Sequence, residues 1–515
     1  MKSALRASVL AALLTVAHAR EFTVLTYNVE NLFDADKVAV FDDYAETGEE
    51  NAYSPSKMLR KMEGIAKVLK TFNDGAGPEI IAFNELELDF TPDSKVTDYA
   101  AVLEKYKDTT VEKMLTTELT NEIRGLPSEA LLLKYLEDQG LEGYNVAIGA
   151  DEPDFAAMAS TDRSVHKKGH KNGLFSKFPI KSVKSHPTPD ARDVLEVELD
   201  VEGYPLTVFV NHWKSGASNL DSEQSRRFNA KTVRERLDAI LAADPSADVI
   251  VTGDFNSQYN QSQAYPHMGK TGVNDILGSQ GDEAATATAT NYSLYNLWHE
   301  LKPEERRSDH YSGNWGTLMQ SIITPGMYDH HGVQYIDNSF TVVALKGVNA
   351  VTQLQLPRRW SNLGDGSGFS DHFPIAFRAR LAPEGDKAKR VELSDPGVPP
   401  ADAAPLPVGF NRLKASQLPV FNAEIAAQLD KHIGEFFRVK GEIASRRPLT
   451  IEVGNREYGL WASDRTSDAL RPLRKLPDDS KVDLIGLLSS HKGKPQFLVE
   501  DPSWIINYKP AKKDD

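Results

Sequence analysis

Residues 248–256 read Asp-Val-Ile-Val-Thr-Gly-Asp-Phe-Asn. Val249 to Thr252 is short, apolar and β-branched, the composition of a buried strand. The run stops at Gly253, and Asp254 and Asn256 then flank Phe255. Residues two apart in extended chain face the same side. A buried strand thus ends by offering a carboxylate and an amide in one direction, where a sheet opens onto a cleft. In isolation an Asp–Asn turn reads equally well.

Four other pieces repeat the pattern. Thr26-Tyr27-Asn28-Val29-Glu30 ends the alternating run that begins at Glu21. Ala82-Phe83-Asn84-Glu85 ends a strand opened by Pro78. Asn211-His212-Trp213-Lys214-Ser215 follows Leu206 to Val210, and Ser370-Asp371-His372 follows the glycine-rich 364–368. Each is a weak signal alone, but the ordered set is hard to reach by chance.

These residue types suit attack on a phosphodiester. Its charge repels nucleophiles, so a catalyst must neutralise phosphate, activate water and stabilise the leaving oxygen; a divalent cation on oxygen ligands serves the first and helps the others. Mg²⁺ takes one or two carboxylates and keeps several waters. Glu85 offers such a charge and Asn28 a neutral oxygen. Asp254 can orient water while Asn256 fixes it or the phosphate. His212 can donate to a phosphate oxygen, or simply be bonded beneath Trp213. A carboxylate-polarised His372 beside Asp371 suits general acid–base work. The second Asp-His pair, Asp309-His310, shows how cheaply such a dipeptide arises.

Around these pieces, strands are expected at Glu21 to Val29, Glu79 to Asn84, Gly143 to Ile148, Asn172 to Ser176, Val194 to Asp200, Leu206 to Val210 and Ile375 to Arg380. Helical stripes run from Ser54 to Phe72 and Ser222 to Ala242. A helical insertion over 95–140 comprises Tyr99 to Tyr106, Val111 to Ile123 and Pro127 to Leu136. Residues 257–317 lack strong periodicity and read as long surface loops. Strand–helix alternation mixed with hairpins predicts a layered α/β sandwich, not an all-parallel sheet.

The order Asn…Glu…His…Gly-Asp-x-Asn…Ser-Asp-His, over roughly 22–381, resembles the endonuclease/exonuclease/phosphatase superfamily. Tyr27-Asn28-Val29-Glu30-Asn31-Leu32-Phe33-Asp34 is similar to its bacterial, exported nuclease-like branch. The resemblance implies a four-layer α/β sandwich and dependence on Mg²⁺ or Mn²⁺, with Ca²⁺ as a third option. It implies metal binding by Asn28, Glu85 and Asp371, and catalytic roles for His212, Asp254, Asn256, Asp371 and His372. Asn211 and Arg163, in Thr161-Asp162-Arg163-Ser164, would bind substrate. One departure stands out. Relatives with Trp-Gly-x-Leu continue with Asp, but here Trp315-Gly316-Thr317-Leu318 leads to Met319. Asp337 is the alternative counterpart.

At 515 residues the chain exceeds one ordinary core. The expected division is 1–19 signal peptide, 20–381 catalytic domain, 382–409 Pro-rich linker, 410–508 small β domain and 509–515 tail. Lys2 and Arg6, an apolar Val9 to Val16 and Ala17-His18-Ala19 form the signal. Its apolar run is shorter than the about 20 residues a membrane span needs. Secretion or a periplasmic location follows, without a stable membrane anchor or obligate protein partner. Absence of Cys excludes disulfides and thiolate zinc sites.

The formal charge is −15, or −17 without residues 1–19, which opposes loose polyanion binding. Residues 411–515 differ, with 18 Lys+Arg against 15 Asp+Glu. Strands expected there run from Phe436 to Ala444, Leu449 to Val453, Tyr458 to Ala462, Lys481 to Ser489 and Gln496 to Glu500, and resemble an OB-fold. Such barrels bind single strands by stacking and charge. Arg446, Arg447, Tyr458 and Trp461 supply a binding face, or else the aromatics pack the barrel. The expected substrate is DNA, with RNA as an alternative. A sphingomyelinase-like phospholipid or small-molecule phosphoesterase, or an inactive nucleic-acid-binding protein, are the rivals.

Overall fold

The computed structural model describes residues 20–41, 44–45, 52–90, 96–153, 168–289, 292–311, 313–351, 353–382, 385–394, 406–462 and 469–511. The signal-like residues 1–19, Arg163, positions 395–405 of the Pro-rich stretch and the last four residues lie outside these.

Two mixed sheets carry the first part of the chain. The first runs, edge to edge, Gly332–Tyr335, Ile375–Ala382, Glu21–Leu32, Ile80–Glu87, His170–Ser176 and Asn145–Ile148, with Thr341–Val342 also on Ile375–Ala382. Glu21–Leu32 lies parallel to Ile80–Glu87 and antiparallel to Ile375–Ala382. The second runs Ile180–His186, Val194–Val201, Tyr204–His212, Val249–Asp254, Met319–Ile323, Leu294–Asn296 and Ser279–Gln280.

Period-two alternation sorts the side chains into layers. Phe22, Val24, Ile80 and Ala82 of the first sheet meet Leu206, Val208, Val210 and Ile250 of the second in one core. The opposite face of the first sheet, with Leu25, Tyr27, Ile81 and Phe83, packs on the helices Pro55–Leu69 and Ser128–Asp138. The outer face of the second, with Phe209, Val249 and Val251, packs on the helix Leu220–Ala243. The result is helix, sheet, sheet, helix. The helix starts follow local chemistry: Ser54 accepts from Lys57 N with Pro55 behind it, and Asn219 accepts from Asp221 N and Ser222 N.

Several expectations need correction. Val111 to Ile123 is not one helix; Thr110 and Thr120 each cap a separate single turn, Val111–Met114 and Asn121–Arg124. Among the described residues, 257–317 hold four strands, including the hairpin Asp309–Tyr311 with Asn314–Gly316. Their brevity hides any periodicity. Ile180–His186 was not anticipated, because as an edge strand it exposes Lys184 and Val183 instead of alternating cleanly.

The C-terminal region holds a closed five-stranded barrel. Phe436–Arg446, Leu449–Val453, Arg456–Trp461, Lys494–Leu498 and Lys481–His491 pair in sequence, and Phe436–Arg446 pairs back to Lys481–His491. Ile505–Lys509 adds outside the closure. Tyr458 is 1% exposed inside the barrel, so it packs instead of forming a face; Trp461 is 43% exposed. The barrel core continues into Trp315, Val351 and Phe373 of the sandwich.

Candidate active site

The same alternation that fills the inter-sheet core delivers the polar groups. Ala82 is followed two residues on by Asn84, Val210 by His212, and the run Ile250, Thr252 by Asp254. On the first strand, Thr26 meets Thr252 across the sheets at 2.5 Å, and Asn28 is the next residue on that face. Each strand leaves the core with a polar residue on the inter-sheet side, at one end of both sheets. Backbone irregularities then turn the chain there. Glu30, Asn31, Glu85 and Asn256 adopt φ of 48°, 63°, 65° and 45°. The pairing register shifts beside both Asn28 and Glu85. Such bulges re-aim side chains, and left-handed non-glycine residues cluster at functional sites. Gly253 is required by contact: at φ 137° a Cβ would lie 1.9 Å from the Asn211 carbonyl oxygen of the adjoining strand.

Asn28 is the hub of the floor. Its Nδ2 donates to Glu85 Oε1 at 3.0 Å and to Asp254 Oδ2 at 3.1 Å. Asn31 N donates to Glu85 Oε2, and Asn256 N to Asp254 Oδ1. His212 Nε2 stands 3.6 Å from Asp254 and 3.8 Å from Glu85. Burial is the main force raising the Asp254 carboxyl to about 6, against the pull of His372. His212 is driven well below the usual imidazole range, first by burial and then by Arg192, His170 and His372, so it is neutral.

His372 has the opposite character. Burial lowers it, but Asp371, Asp254, Asp309 and Glu85 outweigh that and lift it to about 9. Its Nε2 lies 3.7 Å from both Asp254 Oδ2 and Asp371 Oδ1. Ser370 Oγ donates to the Asn28 carbonyl and accepts from His372 N, which ties this loop to the first strand. Asp309 belongs to the site, although it looked like a chance dipeptide. Phe373 N donates to the Ser308 carbonyl at 2.6 Å, bringing the residues next to each, Asp309 and His372, alongside. Asp309 Oδ1 accepts from Ser308 Oγ and Leu318 N, and Gly316 makes room for it, since a Cβ there would meet its Oδ2 at 2.1 Å. The only sequence signal was that glycine opposite.

Neither suggested acidic counterpart fills this place. Met319 is fully buried in the inter-sheet core. Asp337 accepts from Ser394 N and Oγ at 2.7 Å and belongs to a different acidic group with Glu283 and Glu300. Met319, the antiparallel partner of Asp254, thus packs in the apolar layer beneath the site.

Other members were not singled out in the sequence. Arg359 grips Glu30 Oε1 through Nε and an Nη, at 3.0 and 2.8 Å, and reaches Asp371 at 3.4 Å. Its side chain stays 60% exposed at the mouth. Glu30, and then Asp371, raise its pKa above the usual guanidinium range. Lys61 is buried 4.5 Å from the Trp360 ring, facing Glu30, Glu85 and Asp371. His170 bonds Asn31 Oδ1 at 2.6 Å beside Glu85. Asn211 serves differently from a substrate contact: its oxygen accepts from Trp213 Nε1 and its amide donates to Phe209 and Thr252 carbonyls, all buried. Asn256 donates to the Trp213 carbonyl.

The donor set fits a divalent cation. Ligand atoms of Glu85, His212 and Asp254 lie within 4.8 Å of one another, with the Asn28 amide alongside. His212 Nδ1, His372 Nδ1 and Asp371 Oδ1 are buried without a hydrogen-bond partner among the described residues. Two oxygens and an imidazole suit hard to borderline cations. Asp371 is not in that trio; it lies 3.4 Å from Arg359 and 3.7 Å from His372.

The fold and site define a two-sheet α/β hydrolase scaffold of the phosphodiesterase and nuclease type. The endonuclease/exonuclease/phosphatase family model matches residues 168–380, and over that span the chain is similar to this family. No curated protein matches the chain. Similar solved structures include an endonuclease/exonuclease/phosphatase family protein from Leptotrichia buccalis, with 15% identity over 69% of this chain and 98% of that one and a TM-score of 0.38. D. rerio TDP2, solved with a single-strand DNA product, has 13% identity over 70% and 98%, TM-score 0.36. The human Nocturnin catalytic domain, solved with sulfate, has 13% identity over 70% and 94%, TM-score 0.35. No helix among the described residues is long and apolar enough to cross a membrane.

Proposed function

We propose that the chain is an exported, metal-dependent phosphodiesterase that hydrolyses nucleic-acid phosphodiester bonds, with extracellular DNA as its substrate. The observation that carries this reading is the convergence of Glu85, Asp254, His212 and Asn28 around one pocket, with a protonated His372 beside it. Export rests on the signal-like residues 1–19.

Glu85 and Asp254 would hold Mg²⁺ or Mn²⁺, with Asn28 alongside; when bound, such a cation neutralises phosphate and polarises its oxygen. Asp254, a carboxylate made more basic by burial, orients the attacking water, and Asn256 steadies it. Neutral His212 donates a hydrogen bond to charge developing on phosphate without adding a buried cation. His372, an imidazolium at neutral pH, supplies the proton that the leaving oxygen needs. Asp371 and Asp309 hold that imidazolium in its charged state, and Arg359 meets the phosphate at the mouth.

The test incubates purified chain with plasmid, linear and single-stranded DNA, with Mg²⁺ or Mn²⁺ and then with chelator. Cation-dependent cleavage is expected. No cleavage of any DNA or RNA with either cation would end the reading.

A further inference from the structure

Beyond the metal pocket, the cleft widens toward the barrel. It encloses about 940 Å³. One wall carries Asn256, Asp309, Asp371 and His372 of the sandwich; the facing wall carries Ile433, Gly434, Leu487, Ser489 and Leu498 of the C-terminal part. This second wall is fixed in place. Ser361 and Ser490 share a hydrogen bond at 2.6 Å, and Arg358 donates to the Lys431 carbonyl. Val351 and Phe373 share one apolar core with Phe436 and Leu484. A Cβ on Gly434 would sit 3.1 Å from Val351 Cγ1.

The lining has a particular chemistry. Among the described residues Arg359 is the only Lys or Arg in it, and it pairs with Glu30 and Asp371. His310 adds no charge, because burial, with help from Arg359, lowers it to about 4. A duplex-binding groove neutralises many phosphates at once, and its affinity scales with their number. One guanidinium suits one phosphate. The remaining lining mixes apolar and aromatic side chains, including Tyr265, Trp315 and Tyr311, the last 67% exposed, with uncharged polar ones such as Asn219, Gln258, Asn314 and Ser489. Bases stack on such rings irrespective of sequence, but only when unpaired. The volume is that of a pocket for a drug-sized ligand.

We infer that the barrel is a structural wall of the substrate cleft, and that together with Arg359 and Tyr311 it selects short or unpaired nucleoside phosphodiesters, one scissile phosphate with a stacked base, over duplex nucleic acid. This rests on the phosphodiesterase reading. The barrel thus acts on specificity at the catalytic pocket instead of as a separate tether. Duplex DNA, whose bases are paired inward, offers the aromatic wall nothing to stack on.

The experiment uses the full chain with Mg²⁺. Steady-state rates are compared on a dinucleotide, a single-stranded oligonucleotide, a hairpin duplex of equal length and a soluble short-chain phosphatidylcholine. The dinucleotide and single strand should exceed the duplex in kcat/KM by at least about tenfold. Tyr311→Ala should raise KM for the dinucleotide by about 5- to 100-fold, the range of one lost stacking contact. Ser489→Asp, which puts an anion on the barrel wall without removing packing, should raise it similarly, whereas Trp461→Ala, off the cleft, should not. Equal rates on duplex and single strand, unchanged KM in both wall variants, or preference for the lipid diester would each overturn the inference. Turnover of diesters without these preferences sinks the inference alone. If no diester is turned over the hydrolase reading fails, and calorimetric binding of the dinucleotide, weakened or not by Tyr311→Ala, still decides the cleft.

Discussion

Replacing Asp309 by Asn tests whether this residue keeps His372 protonated. Asp309 is 6% exposed, and its Oδ1 accepts from Ser308 Oγ and Leu318 N at 2.8 and 3.1 Å. The Asn side-chain oxygen can keep both bonds, so the fold should hold and Tm should move by no more than about 2 °C. What disappears is one of four carboxylates that lift His372 to about 9 against burial. With fewer anions nearby, the imidazolium loses its proton at lower pH. A general acid contributes about 10²–10⁴-fold to rate. Losing one supporting charge should therefore lower kcat by up to about 10²-fold, or about 2.7 kcal/mol in the barrier. KM should stay nearly constant, and the alkaline limb of the kcat–pH profile should shift toward neutrality. Plasmid cleavage with Mg²⁺ between pH 6 and 10 reads both. An unchanged rate together with an unmoved alkaline limb would refute the assignment. Met319→Asp in the same background should not rescue, because it buries a charge in the inter-sheet core, at a cost of several kcal/mol.

Three further outcomes are expected. Glu85→Gln should weaken Mn²⁺ binding at least about tenfold by calorimetry while leaving the far-ultraviolet dichroism intact; unaltered affinity would place the cation elsewhere. Gly253→Ala should lower Tm by about 3 °C or more, because its Cβ must push back the Asn211 carbonyl 1.9 Å away; a neutral change would mean that the strand pair gives way freely. Distant from the site, burial raises Glu300 to about 8 and Glu283 to about 7, above their unfolded values. Their protonated forms favour the native state, so that stability is fully present below about pH 4.5 and is lost as pH rises toward 8, by on the order of a few kcal/mol. Urea unfolding at pH 5 and 9 should reveal the fall and Glu300→Gln should flatten it; equal slopes in both proteins would exclude the cluster as the cause.

The sequence disclosed those parts of the site that sit on strands. Leu206, Val208 and Val210 alternate visibly, so His212 could be assigned to the same face and placed at the strand's open end. The same attention to strand ends reached Asn28, Glu85 and Asp254. It failed where position depends on chain segments meeting over long separations. Glu30 and Arg359 are 329 residues apart, and nothing local announces their bidentate pair. Asp309 sits on a three-residue strand, too short to carry a period. Asn211 misled for the converse reason: its motif is polar, but the structure spends every polar atom of the side chain on Trp213 and two buried carbonyls. For Tyr458 the sequence left a binding face and barrel packing both open, and the barrel's closure turns it inward against Phe421 and Phe497.

The two histidines beside Asp254 show why residue type alone does not assign a role. Both are largely buried, and desolvation pushes both toward the neutral form. Their neighbours then part them. At His212 burial prevails, and Arg192, His170 and His372 all oppose a second proton even though Asp254 and Glu85 stand within 4 Å. His372 looks toward Asp371, Asp254, Asp309 and Glu85, and any one of these alone would be a weaker counterweight to burial. Charge on one ring also disfavours charge on the other, so the arrangement holds one protonated and one neutral imidazole near the same carboxylate. Pairs of titratable groups driven apart in this way mark an acid and a hydrogen-bonding partner. That division arises partly from His372's own motif, since Asp371 is the strongest of its anionic neighbours, and partly from where Arg192, Asp254 and Asp309 come to rest, which is a property of how the sheets and the hairpin are assembled.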